Sequence, residues 1–375
     1  MHILCVNYPY DHEVVVPRDI VTRCHTLRES AQALVAEGAE VTVLQRFHYD
    51  AELVHAGVRY VFRTDRCQPI LQRRWQMPLR FHRAARDIGA NVVHANGLTF
   101  WSQLGGLRAA LPRESALVAQ DHAGSPSRRW SAVQRWCFRG IDGFLFTDRA
   151  QALPWQARGV IGRDQPIYEI LEGSTTFRWE DRASARARTG LTGAPVVLWV
   201  GRLIALKDPL VVLRGFAKIS RDMPDARLYM VYSGDAPLLG EVQAMTQGND
   251  RVVLIGERPH EGLEAMYNSA DVFVLGSHSE GSGYALIEAL ACGVIPVVTD
   301  IPSFRSITGQ GQIGALWRPG DADEFAAAFG PAVAARQPSE AIAAYFRDHL
   351  SYPAIARASL RVYEEVVQQR ALSLQ

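Results

Sequence analysis

RVVLIGERPHEGLEAMYNSADVFVLGSHSEGSGYALIEALACGVIPVVTDIPSF, residues 251–304, reads as strand, helix, strand, glycine-rich turn, helix, strand. Its apolar runs RVVLIGE, ADVFVLGS and VIPVVTD are short, rich in Val and bounded by Gly, Asp or Ser. Strands buried on both faces of a parallel sheet have this composition. Outward from this stretch the alternation continues through PVVLWVGR, ARLYMVYSG and GALWRPG. It also fills the first half, in HILCVNY, AEVTVLQRF, VRYVF, NVVHAN, ALVAQDH, GFLFTD and PIYEILE. Helix-like segments separate the runs. Thr22 to Gly38 is one, with Leu27, Ala31, Leu34 and Val35 on one stripe and Gly38 as its stop. Strand and helix in alternation predict doubly wound parallel sheets.

The pattern breaks near Gly173. GSTTFRWEDRASARARTGLTGAP is polar and lacks a strand, so the chain is read as two Rossmann-like domains joined between Gly173 and Arg182. The expected boundaries are 1–175, 176–350 and a C-terminal helix at 351–375 that returns to the first domain. Its stripe of Ile355, Ala358, Leu360, Val362, Val366 and Val367 is rough. Such sheets bind ligands beyond the carboxyl ends of their strands, so two of them are expected to face across a cleft.

A chain of 375 residues is long enough for two such cores. A formal net charge of +1 excludes nucleic-acid binding through overall basicity. Five scattered cysteines without Cys-x-x-Cys fit neither a disulfide framework nor a zinc site, so a reducing compartment is expected. MHILCVNYPYDHE lacks the basic and apolar regions of a signal peptide. No apolar run approaches the roughly 18 residues of a spanning helix. The expected location is cytoplasmic, with any membrane contact peripheral, at the inner membrane face.

Candidate site residues cluster where strands end. Val200-Gly201-Arg202 closes a strand and Lys207 follows, so two cations stand at its mouth; Arg can hold phosphate oxygens bidentately and Lys adds a point charge. Solvated surface charges would look the same from spacing alone. Glu280-Gly281-Ser282-Gly283-Tyr284 joins a strand to a helix start, where backbone N–H groups and the helix dipole favour anions. Glu288 sits among Leu286, Ile287, Ala289, Leu290 and Ala291, and a carboxylate in so apolar a helix needs a partner unless it lies on a wet face. A pair of ribose hydroxyls would serve.

In their order these pieces resemble the donor-binding half of glycosyltransferase family 4, across most of Val196 to Gly320, including VGRLIALKDPLVVLRGF and RLYMVYSGDAPL. The resemblance implies the GT-B fold and a retaining, metal-independent glycosyltransferase (EC 2.4) using a nucleotide-diphosphate sugar, UDP- or GDP-linked. It implies that Arg202 and Lys207 hold the diphosphate, Glu280 a sugar hydroxyl and Glu288 the ribose. The backbone from Gly281 through Ser282 and Gly283 to Tyr284 would face sugar and phosphate. Gly276 stands where the family usually has Pro, and Ser282 where a bulky apolar residue is common.

In the first half, NVVHANGL is similar to the family's DVVHAHG, with Asn96 for the second His. VAQDHAG matches a strand end that implies His122 beside the reacting sugar, with Asp121 a weaker neighbour. The first loop lacks the family's glycine pair, so acceptor contacts are left among Asn7, His12, Arg18 and His25. QRRWQMPLRFHRAAR, with Arg73, Arg74, Arg80, Arg83 and Arg86, and SRRWSAVQRWCFRG, with Arg128, Arg129, Arg135 and Arg139, interleave basic and aromatic residues. They suit a solvated helix face along an acceptor cleft, or an anionic membrane surface or lipid-phosphate acceptor.

Asp321-Ala322-Asp323 is the only Asp-x-Asp triplet, and it reads as a helix cap with first-turn acids, so no metal and no cofactor are assigned. Arg202, Lys207 and the helix start would supply the positive field. Glu280 and Glu288 are not spaced as the paired carboxylates of a retaining glycosidase, so front-face substitution is expected. The expected partners are a nucleotide-sugar donor and a sugar, lipid-linked or small-molecule acceptor, and not nucleic acid. A nucleotide-sugar epimerase of the same fold and a non-catalytic nucleotide-sugar-binding protein are the competing readings. An NAD enzyme is disfavoured, since neither domain opens with Gly-x-Gly-x-x-Gly.

Overall fold

The computed structural model describes residues 1–9, 13–65, 76–233 and 237–375. His12, Arg73, Arg74, Cys67 and the Gly234-Asp235 of RLYMVYSGDAPL lie outside the described residues. One unit comprises Met1–Gly173 with Tyr352–Gln375, the other Ser174–Ser351.

The first unit is built on eight strands: β1 (His2–Asn7), β2 (Glu40–Arg46), β3 (Ala51–His55), β4 (Val58–Arg63), β5 (Val92–Asn96), β6 (Ala116–Gln120), β7 (Gly143–Phe146) and β8 (Ile167–Glu169). They pair in the order β3-β4-β2-β1-β5-β6-β7-β8. All neighbours are parallel except β3 and β4, which form an antiparallel hairpin. β3 corrects the expectation of a purely parallel sheet. Its turn, Ala56-Gly57, holds both residues at positive φ, 47° and 79°, which matches the twist of a two-residue hairpin. It is an edge strand, exposed along much of its length, and Glu52 on it pairs with Arg59 and Arg63 of β4.

The segment read as one helix from Thr22 is two, Pro17–Arg23 and His25–Ala36, broken at Cys24 (φ −90°, ψ 65°). Gly38 follows the second at φ 89°, the left-handed turn that glycine adopts without a Cβ penalty. The last helix, Tyr352–Leu372, packs in this unit. Its buried stripe runs through Tyr352, Ala356, Ser359, Tyr363 and Val366, at spacings of three and four. Ile355, Leu360, Val362 and Val367 flank that stripe, only partly buried. Arg357 pairs with Glu37 and Arg370 with Asp142, which fixes both ends of the helix on the unit.

The second unit has six strands: β9 (Val196–Gly201), β10 (Arg227–Tyr232), β11 (Val252–Gly256), β12 (Val272–Leu275), β13 (Ile295–Thr299) and β14 (Ala315–Trp317). Their order is β11-β10-β9-β12-β13-β14, parallel throughout. β9 and β12 are buried because helices cover both faces of the sheet. The polar segment after Gly173 holds a helix that its composition hid, Arg182–Thr189, capped by Asp181 accepting from Ser184 N at 2.9 Å. Arg182 and Arg186 bind Asp271 at 3.2 and 2.6 Å, which ties this helix to the start of β12. No described helix is long and apolar enough to cross a membrane.

Each sheet winds outward in both directions from a central pair. The strand order reverses between β9 and β12 in the second unit and between β1 and β5 in the first. At such a reversal the loops leave to opposite faces, and a crevice opens at the carboxyl ends of the strands.

Candidate functional sites at the strand reversals

In the second unit, residues following β9 and β12 converge at the reversal. β9 ends at Gly201, where a Cβ would lie 3.3 Å from the Trp199 ring, so the strand end is tight. Arg202 is exposed, and its guanidinium has no partner among the described residues. A short turn then carries Lys207, and Asp208 follows at φ 38°, a left-handed conformation that costs a non-glycine residue of order 1 kcal/mol. Asp208 repays part of that as the cap of the helix Pro209–Asp222, accepting from Val211 N at 3.1 Å. Its other oxygen meets His278 Nε2 at 3.0 Å, and His278 N donates to Leu206 O at 2.9 Å. Gly276 explains how the two loops come so close: a Cβ there would stand 2.8 Å from Asp208 O.

This clamp brings Lys207 onto Glu280. The Lys207 ammonium and the Glu280 carboxylate form an ion pair, and Ser277 Oγ donates to the same carboxylate at 2.6 Å. Both charged side chains are largely buried, at 16% and 11% exposure. Thr299 Oγ1 of β13 donates to Ser277 O at 2.6 Å and so fixes the loop from the neighbouring strand. The pair is preorganised: an anion arriving here finds the ammonium already desolvated and in place.

The glycine-rich turn delivers the helix Tyr284–Ala291. Gly283 sits at φ 75°, and a Cβ on it would meet Phe304 Cε1 at 2.5 Å, so only glycine fits. The Ser282 side chain is buried, whereas Tyr284 is exposed.

Glu288 is 8% exposed, which removes the reading of a wet helix face. Its partner is Tyr267, whose hydroxyl donates to Glu288 Oε2 at 2.8 Å. Burial pushes the Glu288 carboxyl up to about 7, and the Tyr267 hydrogen bond only partly opposes this. The other oxygen lies 3.8 Å from His260 Nδ1, and the His260 ring stacks on Phe177 at 4.7 Å. Tyr267 and His260 share the helix His260–Ser269, so one face of it supplies both neighbours of the carboxylate.

At the reversal in the first unit, β1, β5 and β6 end side by side, with Asn7 opposite Asn96 and Asn96 opposite Gln120. Asn96 Nδ2 donates to Asn7 Oδ1 at 2.8 Å. His122 Nε2 lies 3.2 Å from Asn96 Oδ1, and its Nδ1 pairs with the carboxylate of Glu172. Glu172, at 9% exposure against 39% for His122, is a site residue that sequence reasoning did not single out. The signal available was its place at the end of PIYEILE, just past β8. Ala123, next to His122, has φ 54°, a second left-handed non-glycine residue beside a candidate side chain. Asp121 accepts from Gly124 N at 3.0 Å, and burial raises it to about 6. Beneath, His94 hydrogen-bonds Tyr363 of the last helix at 2.5 Å, and burial with the nearby His122 pushes it down to about 4. Neither Arg18 nor His25 has a side-chain bond to this cluster.

Asp321 caps the helix Ala322–Ala334, accepting from Asp323 N and Glu324 N, and Asp323 pairs with Lys218. Among the described residues no group of three or more His, Cys, Asp or Glu is gathered as a metal site.

Residues 181–348 match the sequence model of a family described as glycosyl transferases group 1. That match covers less than half of the chain. The D-inositol 3-phosphate glycosyltransferase of Nocardia farcinica is 33% identical over 165 residues, which is 42% of this chain and 37% of that protein. The counterpart from Corynebacterium jeikeium is 29% identical over 239 residues, 55% of this chain and 57% of that one. The chain thus spans well under two thirds of the length of these curated relatives. Among solved structures, sucrose-phosphate synthase from Thermosynechococcus elongatus superposes with a TM-score of 0.70 at 20% identity, over 98% of this chain and 99% of that one. Anabaena Alr3699/HepE, solved in complex with UDP and glucose, superposes with a TM-score of 0.60 at 17% identity, over 100% and 99%. The fold is GT-B. The matched residues include Arg202, Lys207, Glu280 and Glu288, whereas His122 and Glu172 precede them in the chain.

Proposed function

We propose that this chain is a retaining glycosyltransferase that moves a sugar from a nucleotide-diphosphate donor to an acceptor hydroxyl without a metal ion. The observation that carries the reading is the desolvated Lys207–Glu280 pair at the strand reversal within the residues that match the group 1 model, beside Arg202, whose guanidinium has no partner among the described residues. A diphosphate would take over Lys207, releasing Glu280 for a sugar hydroxyl. Arg202 would add bidentate contact from the exposed side. Glu288 would accept from the ribose through the oxygen that Tyr267 leaves, and the base is taken as uridine because Alr3699/HepE was solved with UDP.

The chemistry then follows from charge. Breaking the bond from the anomeric carbon to the phosphate oxygen leaves an electron pair on the diphosphate. Lys207, Arg202 and the dipole of the helix Tyr284–Ala291 would stabilise it. The acceptor oxygen bonds to the same face of that carbon, and its proton passes to the departing phosphate oxygen. His122, oriented by Glu172, is proposed as a further catalytic residue. The acceptor is proposed to be a sugar or a sugar-bearing small molecule.

A thermal-shift series with UDP, GDP and ADP, with and without chelator, tests the reading. The expected result is stabilisation by UDP that survives chelator; at 100 times its dissociation constant a ligand contributes about 2.7 kcal/mol. Turnover that vanishes with chelator and returns with manganese would sink metal independence. Conversion of a UDP-sugar without any acceptor would point instead to an epimerase.

A further inference from the structure

We propose that the helix Ser131–Phe138 of the first unit docks on an anionic lipid bilayer. The helix buries Gln134, Cys137 and Phe138 against the unit. Its other face holds Val133 and Trp136, with Trp130 just before its first turn; they are exposed by 40%, 66% and 52%. Large aromatic surface left in water is expensive, and two tryptophans, one in this short helix and one at its cap, form a patch that needs a partner.

The charge around it selects that partner. From Asp121 to Asp142 there are four arginines and no acidic residue between. Arg128, Arg129 and Arg139 are exposed, and none is paired with an acid among the described residues. Arg129 leans on the Trp130 ring at 5.9 Å, so a cation and an aromatic are presented together. In the second basic stretch Arg83 is exposed too, and Arg73, Arg74 and Trp75 lie outside the described residues, but its other arginines are compensated. There Arg80 is neutralised by Asp50 at 3.0 Å and Arg86 by Asp87 at 2.8 Å, although Leu79 is exposed. Tryptophan at the headgroup level and uncompensated arginine beside it fit the interface of an anionic leaflet. A protein partner would need acids opposite the arginines and a pocket for each indole. A lipid surface supplies both without shape matching.

The test is sedimentation of the full chain with phosphatidylcholine vesicles and with phosphatidylcholine–phosphatidylglycerol vesicles, at low and high salt. We expect binding to the anionic vesicles, weakened by salt, with a blue shift of tryptophan emission. Trp130→Ser with Trp136→Ser should lower partitioning at least about tenfold. Arg128→Gln and Arg129→Gln should each lower it about fivefold. Arg80→Gln should leave it unchanged. All these side chains are exposed, so a thermal melt should show the variants folded. Equal binding to neutral and anionic vesicles, or full binding by the double tryptophan variant, overturns the proposal. So does a wild-type dimer that the same variant dissociates, because the face would then be an interface between copies. None of these readouts needs turnover, so the outcome is separate from the proposed reaction.

Discussion

Replacing Glu288 by Gln should make the protein more stable and a poorer nucleotide binder. Burial lifts the Glu288 carboxyl from the ordinary 4.5 to about 7, which corresponds to about 3 kcal/mol of disfavour for the ionised form once the pH exceeds 7. Between those values the folded chain retains a proton that the unfolded chain has lost. Stability therefore falls as pH rises from about 4.5 to 7 and levels off above. Gln carries no charge, and its carbonyl can still accept from Tyr267. Urea unfolding of wild type and Glu288→Gln from pH 5 to 8 should show nearly equal stability at pH 5. By pH 8 the variant should lead by up to about 3 kcal/mol, an upper bound because the site can admit water. UDP binding should weaken in the same variant by about tenfold or more, since with its carbonyl held by Tyr267 the amide presents an NH2 donor to the ribose in place of an acceptor oxygen. A stability difference that stays constant from pH 5 to 8 would refute the reasoning.

Lys207→Ala should cost on the order of 2 kcal/mol in a thermal melt, because it removes the ammonium paired with the largely buried Glu280 carboxylate; Arg202→Ala should leave the melt unchanged. Both should lower kcat by about 10²–10³, measured as UDP release in the presence of acceptor. Glu172→Gln should reduce kcat more than KM and move the pH profile of kcat, since it removes the charged partner of His122; a purely structural Glu172 would alter the melt and leave the profile in place. Asp321→Ala should cost about 1 kcal/mol as a lost cap while turnover and its response to chelator stay the same.

Which features the sequence revealed depends on how local their causes are. The inner strands β9, β12 and β13 of the second unit are Val-rich runs ended by Gly, Asp or Ser because both faces of each are buried, and that pattern survives in one dimension. β3 did not, because an exposed edge strand carries AELVH with charges between apolar residues and turns on Ala-Gly rather than Asn-Gly. The helix break at Cys24 has no Gly or Pro to announce it. In the site, Glu288 stood out through its apolar neighbours, yet Tyr267 lies 21 residues away and has no local signal of its role. Glu172 is 50 residues from His122 in sequence, and only the order β6-β7-β8 brings β8's outlet within reach of β6's.

Some departures from local preference stand at the two reversals, while others, the left-handed Ala56, Gln310 and Arg336, lie elsewhere. Asp208 and Ala123 hold left-handed backbone without being glycine, each directly after a proposed functional side chain, Lys207 and His122. Glu288 is a carboxylate buried in an apolar helix, where burial disfavours its ionised form. Lys207 and Glu280 are desolvated together, although an apolar pair of the same volume could serve the core equally well. Each departure has a separate cost of about 1–3 kcal/mol, and packing alone would favour removing each one. Within each unit, the left-handed residue beside a proposed functional side chain, Asp208 or Ala123, follows a strand end, where a doubly wound sheet binds its ligands.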